Sequence, residues 1–173
     1  MHEPRFKQGM GMGYAISPTG ADHMQGMHDA RSWDMGPNKV RSFIYRQYFS
    51  SFKNCAGVCV FLPYNQKRSV EVIEALTGWN VTDWELMKVG ERSLNMARVF
   101  NLRSGITRAD EIFPKRIHEE FTSGPLEGIG YGEEKLNNAI SIYYDMMGWD
   151  RETGVPGRGK LMELDIEWAA DLL

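Results

Sequence analysis

The chain has 173 residues, 42% of them apolar and 25% charged, with a formal net charge of −3. That is enough apolar chain for a real core, as one domain or two small helical subdomains, and with no block of basic residues it excludes nucleic acid and anionic membrane surfaces as main partners. No apolar run approaches the roughly 20 residues that span a bilayer, the start MHEPRFKQGMGMGY lacks the layout of a signal peptide, and two cysteines fit a reducing compartment, so a soluble cytoplasmic protein is expected.

Residues 1–37 are expected to be irregular, a Gly- and Met-rich loop segment of a ligand cavity. Gly9, Gly11, Gly13, Gly20, Gly26 and Gly36 are interleaved with Pro4, Pro18 and Pro37, and no helical or strand period runs through the first half. Met10, Met12, Met24, Met27 and Met35 also fall here. They read as adaptable packing, or alternatively as a soft lining around a ligand.

Residues 38–173 read as helical. A helix is predicted from about residue 38, with Val40, Ile44, Gln47 with Tyr48, and Phe52 on one face, ending near Cys55 before Gly57 and Pro63. A short helix over about 68–77 places Val72, Ile73 and Leu76 inward and stops at Gly78. Thr82 and Glu85 form a capping box for a long helix to about residue 102. Its inward face holds Leu86, Gly90, Leu94, Ala97 and Val99 with Phe100, and Gly90 implies close contact with a neighbour.

After a polar turn segment, residues 115–120 can form one helical turn. Leu136, Ile140, Tyr143 with Tyr144, and Met147 share a face of a helix over about 133–147 that ends at Gly148. Short helices at about 157–164 and 166–172 close the chain. Trp79, Trp84, Trp149 and Trp168, each at a helix end, are expected in core or interface packing. With no period-2 alternation, the fold class is an all-α multihelical bundle.

The chemistry centres on SSFKNCAGVCVFLPY, residues 50–64, which holds both cysteines, Cys55 and Cys59. A disulfide at this spacing is unfavourable. A zinc set of Cys59, His23 and His28 is conceivable but matches no ligand spacing, and spacing alone favours small buried hydrophobes. Against this, Cys59 follows a helix end, beside Gly57 and apolar neighbours. A dry pocket near backbone N–H groups suits an iron–sulfur cluster, whose remaining thiolates must come from another segment or chain.

His23, in TGADHMQG, is either a locally bonded loop histidine or a group presented to substrate that exchanges a proton near neutral pH. Arg103, Arg108, Lys115 and Arg116 alternate with Asp110 and Glu111. They read as solvated loop pairs, or as braces against another domain.

Four blocks carry a family resemblance: GMGMGYAISPTGADH, AGVCVF, RVFNLRSGITRADEIFPKR and YYDMMGWDRETGVPGRGKLMELDI. In this order they resemble the C-terminal helical region of the aldehyde ferredoxin oxidoreductase family, the tungsten- or molybdenum-pterin enzymes. The resemblance implies two helical subdomains over the cofactor. In Gly57-Val58-Cys59-Val60-Phe61 it makes Cys59 the fourth ligand of a four-iron–four-sulfur cluster, with Cys55 left to packing. Asn54 stands where the family usually has a pterin-bonding Asp, and Val58 is a second pterin neighbour. His23 takes the place of a substrate-side histidine, while Gln25 replaces a basic residue of some relatives.

The three-cysteine motif and the β-rich pterin-binding domain of the family are not in these residues, so a fragment, a truncated product or one subunit of a split enzyme is expected, inactive on its own. The implied function is part of an aldehyde:ferredoxin oxidoreductase. Its expected partners are an N-terminal pterin-binding region or subunit, ferredoxin or a similar acceptor, a small aldehyde, and a second copy in a homodimer of the complete enzyme. The implied cofactors are a tungsten (or molybdenum) bis-pterin and the four-iron cluster. The alternative is a non-catalytic helical scaffold or a subunit of a related pterin oxidoreductase complex.

Overall fold

The computed structural model of the chain describes residues 2–24 and 35–173. Its helices are α1 (Gln8–Ile16), α2 (Pro37–Cys55), α3 (Gln66–Thr77), α4 (Asp83–Arg103), α5 (Lys115–His118), α6 (Glu133–Met147) and α7 (Arg158–Glu163), with 3-10 turns at Arg108–Asp110 and Glu167–Leu172. Among the described residues there is no strand, only isolated bridges such as Trp149 with Pro156. The all-α expectation holds. No helix among the described residues is long and apolar enough to cross a membrane.

The long helices begin and end where the local chemistry dictates. Pro37 opens α2, where its missing N–H costs nothing. Thr82 and Glu85 make the reciprocal capping box of α4. Gly78 and Gly148 close α3 and α6 in the left-handed conformation that glycine adopts freely.

Helices α2 and α4 form the main pair. A Cβ added to Gly90 would overlap the carbonyl oxygen of Tyr48, so the glycine sets how closely the two backbones approach. Val40, Phe43, Ile44 and Tyr48 of α2 pack with Leu94 of α4 and with Leu136, Ile140, Tyr143 and Met147 of α6 in the main core. A smaller cluster joins Val99 to Leu161, Leu164, Ile166 and Ala169, seating α7 and the last 3-10 turn on α4.

The largest departure from the expected elements is α1, which lies inside the segment read as irregular. All of its residues except Ala15 are buried. A helix enclosed on every side has no polar face, so it writes no amphipathic period into the sequence. Its glycines admit close neighbours: a Cβ on Gly11 would strike the ring of Tyr131. The Tyr131 hydroxyl also donates to the Gln8 carbonyl oxygen over 2.9 Å. Met10, Met12 and Met35 are buried, as packing residues should be, while Met27 lies outside the described residues.

Leu76 and Phe100, expected inward, are exposed instead, and Trp79, Trp84 and Trp168, expected in core or interface packing, stand outside the core of this chain. Helix α3 packs chiefly on α4 and buries only Ser69 fully, so its Leu76 has no wall to lean on. Trp149 alone of these tryptophans is core, donating its indole N–H to Asn95 Oδ1 over 2.8 Å.

Candidate functional site

Helix α2 ends in a reversal that positions the cysteine segment. The Val58 N–H donates to the Lys53 carbonyl oxygen (2.9 Å) and the Gly57 N–H to that of Asn54 (3.1 Å). This double bond pattern needs a left-handed residue between helix and strand-like exit, and Gly57 supplies it with φ of +66°. Beyond it, the Leu62 N–H donates to the Cys59 carbonyl oxygen (3.1 Å). The Lys53 ammonium reaches forward to the Leu62 carbonyl oxygen (3.1 Å), pinning the turn that carries Cys59.

Both thiols are free and exposed. The reading of either as a small buried hydrophobe is therefore corrected. Cys55 sits on the outward face of the last turn of α2, so its assignment to packing fails for the same reason. The picture of a dry pocket is also revised, since Cys59 stands at the surface and its neighbour Phe61 is 82% exposed. The N–H groups of residues 56–58 are consumed in closing the helix. Asn54 is exposed on the same turn, and Val58 is half-buried against Phe52, Tyr64 and Ile73.

His23 faces a cleft of about 500 Å³ lined also by Arg46, Lys53, Val60, Phe61 and Tyr64. Two sequence-distant segments thus meet there: the one carrying His23, and the turn that begins at Cys59. The His23 ring lies edge-on to His2 at 5.3 Å and to Tyr14 at 6.5 Å. The Met24 N–H donates to Asp22 Oδ1 over 2.9 Å, turning the backbone just after His23. Burial, with the charge of Lys7 and the adjacent His23, holds His2 below the ordinary histidine value. The ionisable side chains of the described lining are His2, His23, Arg46, Lys53 and Tyr64, with no carboxylate among them.

Gln25 and His28 lie outside the described residues. Among the described residues no group of three or more His, Cys, Asp or Glu could hold a metal ion.

A second polar centre escapes the sequence reading. Arg98 of α4 is buried and donates through Nη1 to Glu111 (2.6 Å), through Nη2 to the Tyr144 hydroxyl (2.7 Å) and through Nε to the Gly154 carbonyl oxygen (2.9 Å). Tyr144 in turn donates to the Glu111 carboxylate. Glu111, read above as a solvated loop charge, is buried. The one local signal for this was its placement just before the apolar pair Ile112 and Phe113.

Residues 1–166 match the family model described as aldehyde ferredoxin oxidoreductase, domains 2 and 3. The chain is 29% identical to the tungsten-containing aldehyde ferredoxin oxidoreductase of Pyrococcus furiosus and 30% identical to that of Thermococcus kodakarensis. Both matches cover 95% of this chain and 29% of the relative, so the chain spans less than a third of their length. Among solved structures, the active site complex BamBC of benzoyl coenzyme A reductase, in complex with 1,5 dienoyl-CoA, is similar with a TM-score of 0.64. That match covers 78% of this chain and 20% of that one at 20% identity, a likeness of fold.

Proposed function

Because the chain belongs to the aldehyde ferredoxin oxidoreductase family, we propose that it is the helical, cofactor-covering part of a cytoplasmic tungsten-pterin oxidoreductase. The complete enzyme oxidises an aldehyde to a carboxylic acid and passes the electrons to ferredoxin or a similar acceptor. In balance, one aldehyde and one water give one carboxylate, three protons and two electrons. The relatives' names support tungsten and the aldehyde reaction; the residue roles are our own assignment.

Cys59 is one thiolate ligand of a four-iron–four-sulfur cluster, and Asn54 and Val58 border the pterin. His23 holds or accepts a proton beside the substrate. Residues 1–37 wall the substrate cavity, and residues 38–173 form the helical cover. When bound, the tungsten–pterin centre supplies the oxygen-transfer and two-electron chemistry, and the cluster carries the electrons onward.

The residues present fit one corner of such a cluster. The Cys59 thiol is free and exposed on a braced turn, as a ligand shared with another segment must be. One thiolate cannot hold the cluster, so the other ligands come from a pterin-binding region outside these residues. That region would also cover Phe61. Asn54 keeps a donor and an acceptor for the pterin but no charge. His23 lines the same cleft as Phe61, and an imidazole there can accept or release a proton.

The observation that carries the proposal is the exposed free thiol of Cys59, directly before Val60 and Phe61, which line the cleft that His23 faces. The test is to produce the chain together with the pterin-binding region of a family member and compare wild type with Cys59→Ala. Iron content and the paramagnetic resonance of the four-iron cluster should fall to background in the variant, while co-purification shows that assembly persists. An unchanged cluster signal removes the ligand assignment.

A further inference from the structure

Lys53 carries a charge that no described residue balances. It lies in the last turn of α2 and is only 7% exposed. Its ammonium donates to the Leu62 carbonyl oxygen over 3.1 Å and stands 5.2 Å from the centre of the Phe49 ring. Among the described residues it has no carboxylate partner, and none of those lining its cleft is acidic. A carbonyl dipole and an aromatic face hold an ammonium in place without cancelling its charge. A cation buried in this way is costly unless an anion comes to it, so the fold leaves a place for negative charge beside Lys53.

The same residue grips the Cys59 turn at two points. Its carbonyl oxygen accepts from the Val58 N–H (2.9 Å). Its ammonium holds Leu62, whose own N–H bonds back to the Cys59 carbonyl oxygen (3.1 Å). Residues 58–62 are thereby clamped to the end of α2, with Cys59 inside the clamp. A negative group held by Cys59 lies in the field of that ammonium, where partial burial weakens screening by water and salt.

We propose that Lys53 is a positioning residue and the resident counter-charge of the iron–sulfur cluster: it fixes the Cys59 turn and raises the reduction potential of the cluster. The inference rests on the assignment of Cys59 as a cluster ligand and adds what sets the potential there. A four-iron cluster bound by thiolates is anionic and gains one more negative charge on reduction, so a nearby cation favours the reduced form. Without that cation the cluster is a poorer acceptor of electrons.

The test is a redox titration, followed by paramagnetic resonance, of the chain assembled with the pterin-binding region of a family member. Lys53→Gln keeps a donor for Leu62 and removes the charge. Its ratio of reduced to oxidised cluster at a fixed potential should fall about tenfold, a midpoint about 59 mV more negative for one electron. Lys53→Arg keeps the charge and should titrate like the wild type. An unchanged midpoint in Lys53→Gln, or the same shift in both variants, overturns the proposal, because a brace with no electrostatic role would give either result.

Should Lys53→Gln fail to assemble a cluster, Ser50→Glu decides, with Ser50→Gln as its uncharged control. Ser50 lines the same cleft one helical turn before Lys53, so a carboxylate there supplies the partner that the ammonium lacks and leaves Lys53 in place. The midpoint must then fall in Ser50→Glu alone, and an unchanged one overturns the proposal. Cys59→Ala keeps the two questions apart. A cluster that survives it removes the ligand assignment, whereas a cluster lost in Cys59→Ala but unmoved in potential by Lys53→Gln removes only the role of Lys53.

Discussion

Arg98 and Glu111 form an ion pair of 2.6 Å in which each side chain is only 6% exposed. Thirteen residues apart in sequence, they tie α4 to the loop before α5, and Tyr144 and Gly154 complete the bonding. A buried pair gives little net stability against an apolar substitute for both partners, but losing one partner is expensive.

Arg98→Met should therefore lower stability at neutral pH by about 3–5 kcal/mol, or a melting temperature drop of about 10 °C. Burial already pushes Glu111 above its ordinary value, and Arg98 is the strongest influence pulling it back. In the variant the folded-state value climbs further. A raised folded value gives stability that is present below the unfolded value and lost as pH rises through the folded one. The gap between wild type and variant should thus narrow as pH falls from neutral towards the ordinary glutamate range. Thermal melts across that window check it, and a constant gap would contradict it.

Gly90→Ala should loosen the α2–α4 pair. The added methyl meets the backbone of Tyr48, not a side chain that could swing away. Overpacking of this kind costs about 1–3 kcal/mol, so chemical denaturation should shift its midpoint downward with little change in slope. Gly159, where an added Cβ meets nothing within 4 Å, is the control that should not lose stability this way.

Glu163 answers to pH in the opposite sense from Glu111. Lys160 and Lys88 hold it below the ordinary carboxylate value. Its contribution is present above the unfolded value and disappears as pH falls through the depressed one. Because it is 45% exposed, the effect of Glu163→Gln should be below about 1 kcal/mol at neutral pH and vanish in acid. A melting difference that persists at low pH would show that the charge is not the cause.

Both cysteines should react with a thiol-titrating disulfide reagent in the native chain, without denaturant. Cys55→Ala should leave one reactive thiol. Once the chain is assembled with a cluster-bearing region, the thiol of Cys59 should become silent while that of Cys55 stays reactive. Two reactive thiols in the loaded assembly would argue against ligation.

His23→Ala in the same assembly should lower kcat by about a hundredfold, in the range of a lost proton-transfer group, with tungsten and iron contents unchanged. An unchanged kcat returns His23 to a local structural role.

The elements readable from sequence were those with one wet face and clear ends. Helices α2, α4 and α6 announce themselves through Pro37, the Thr82–Glu85 box and Gly148, together with apolar residues at helical spacing. Helix α1 announces nothing, because it is dry all round. The Arg98–Glu111 pair is opaque for a related reason: two charges among many look solvated until tertiary contacts bury them. At the site, the resemblance singled out Cys59 and His23, and the fold brings the turn after Cys59 to the cleft that His23 faces. Spacing by itself favoured buried thiols, because exposure depends on the helix reversal at Gly57 and on what lies opposite it.

The docking of α1 also bears on the order in which the protein assembles. Gln8 takes its bonds from Tyr131 and Lys135, more than a hundred positions downstream. On the ribosome, these two bonds cannot close until Tyr131 and Lys135 have emerged, although α2 is available to α1 sooner. Such long-range closure slows folding and leaves a glycine-methionine stretch open to chaperones in the interval.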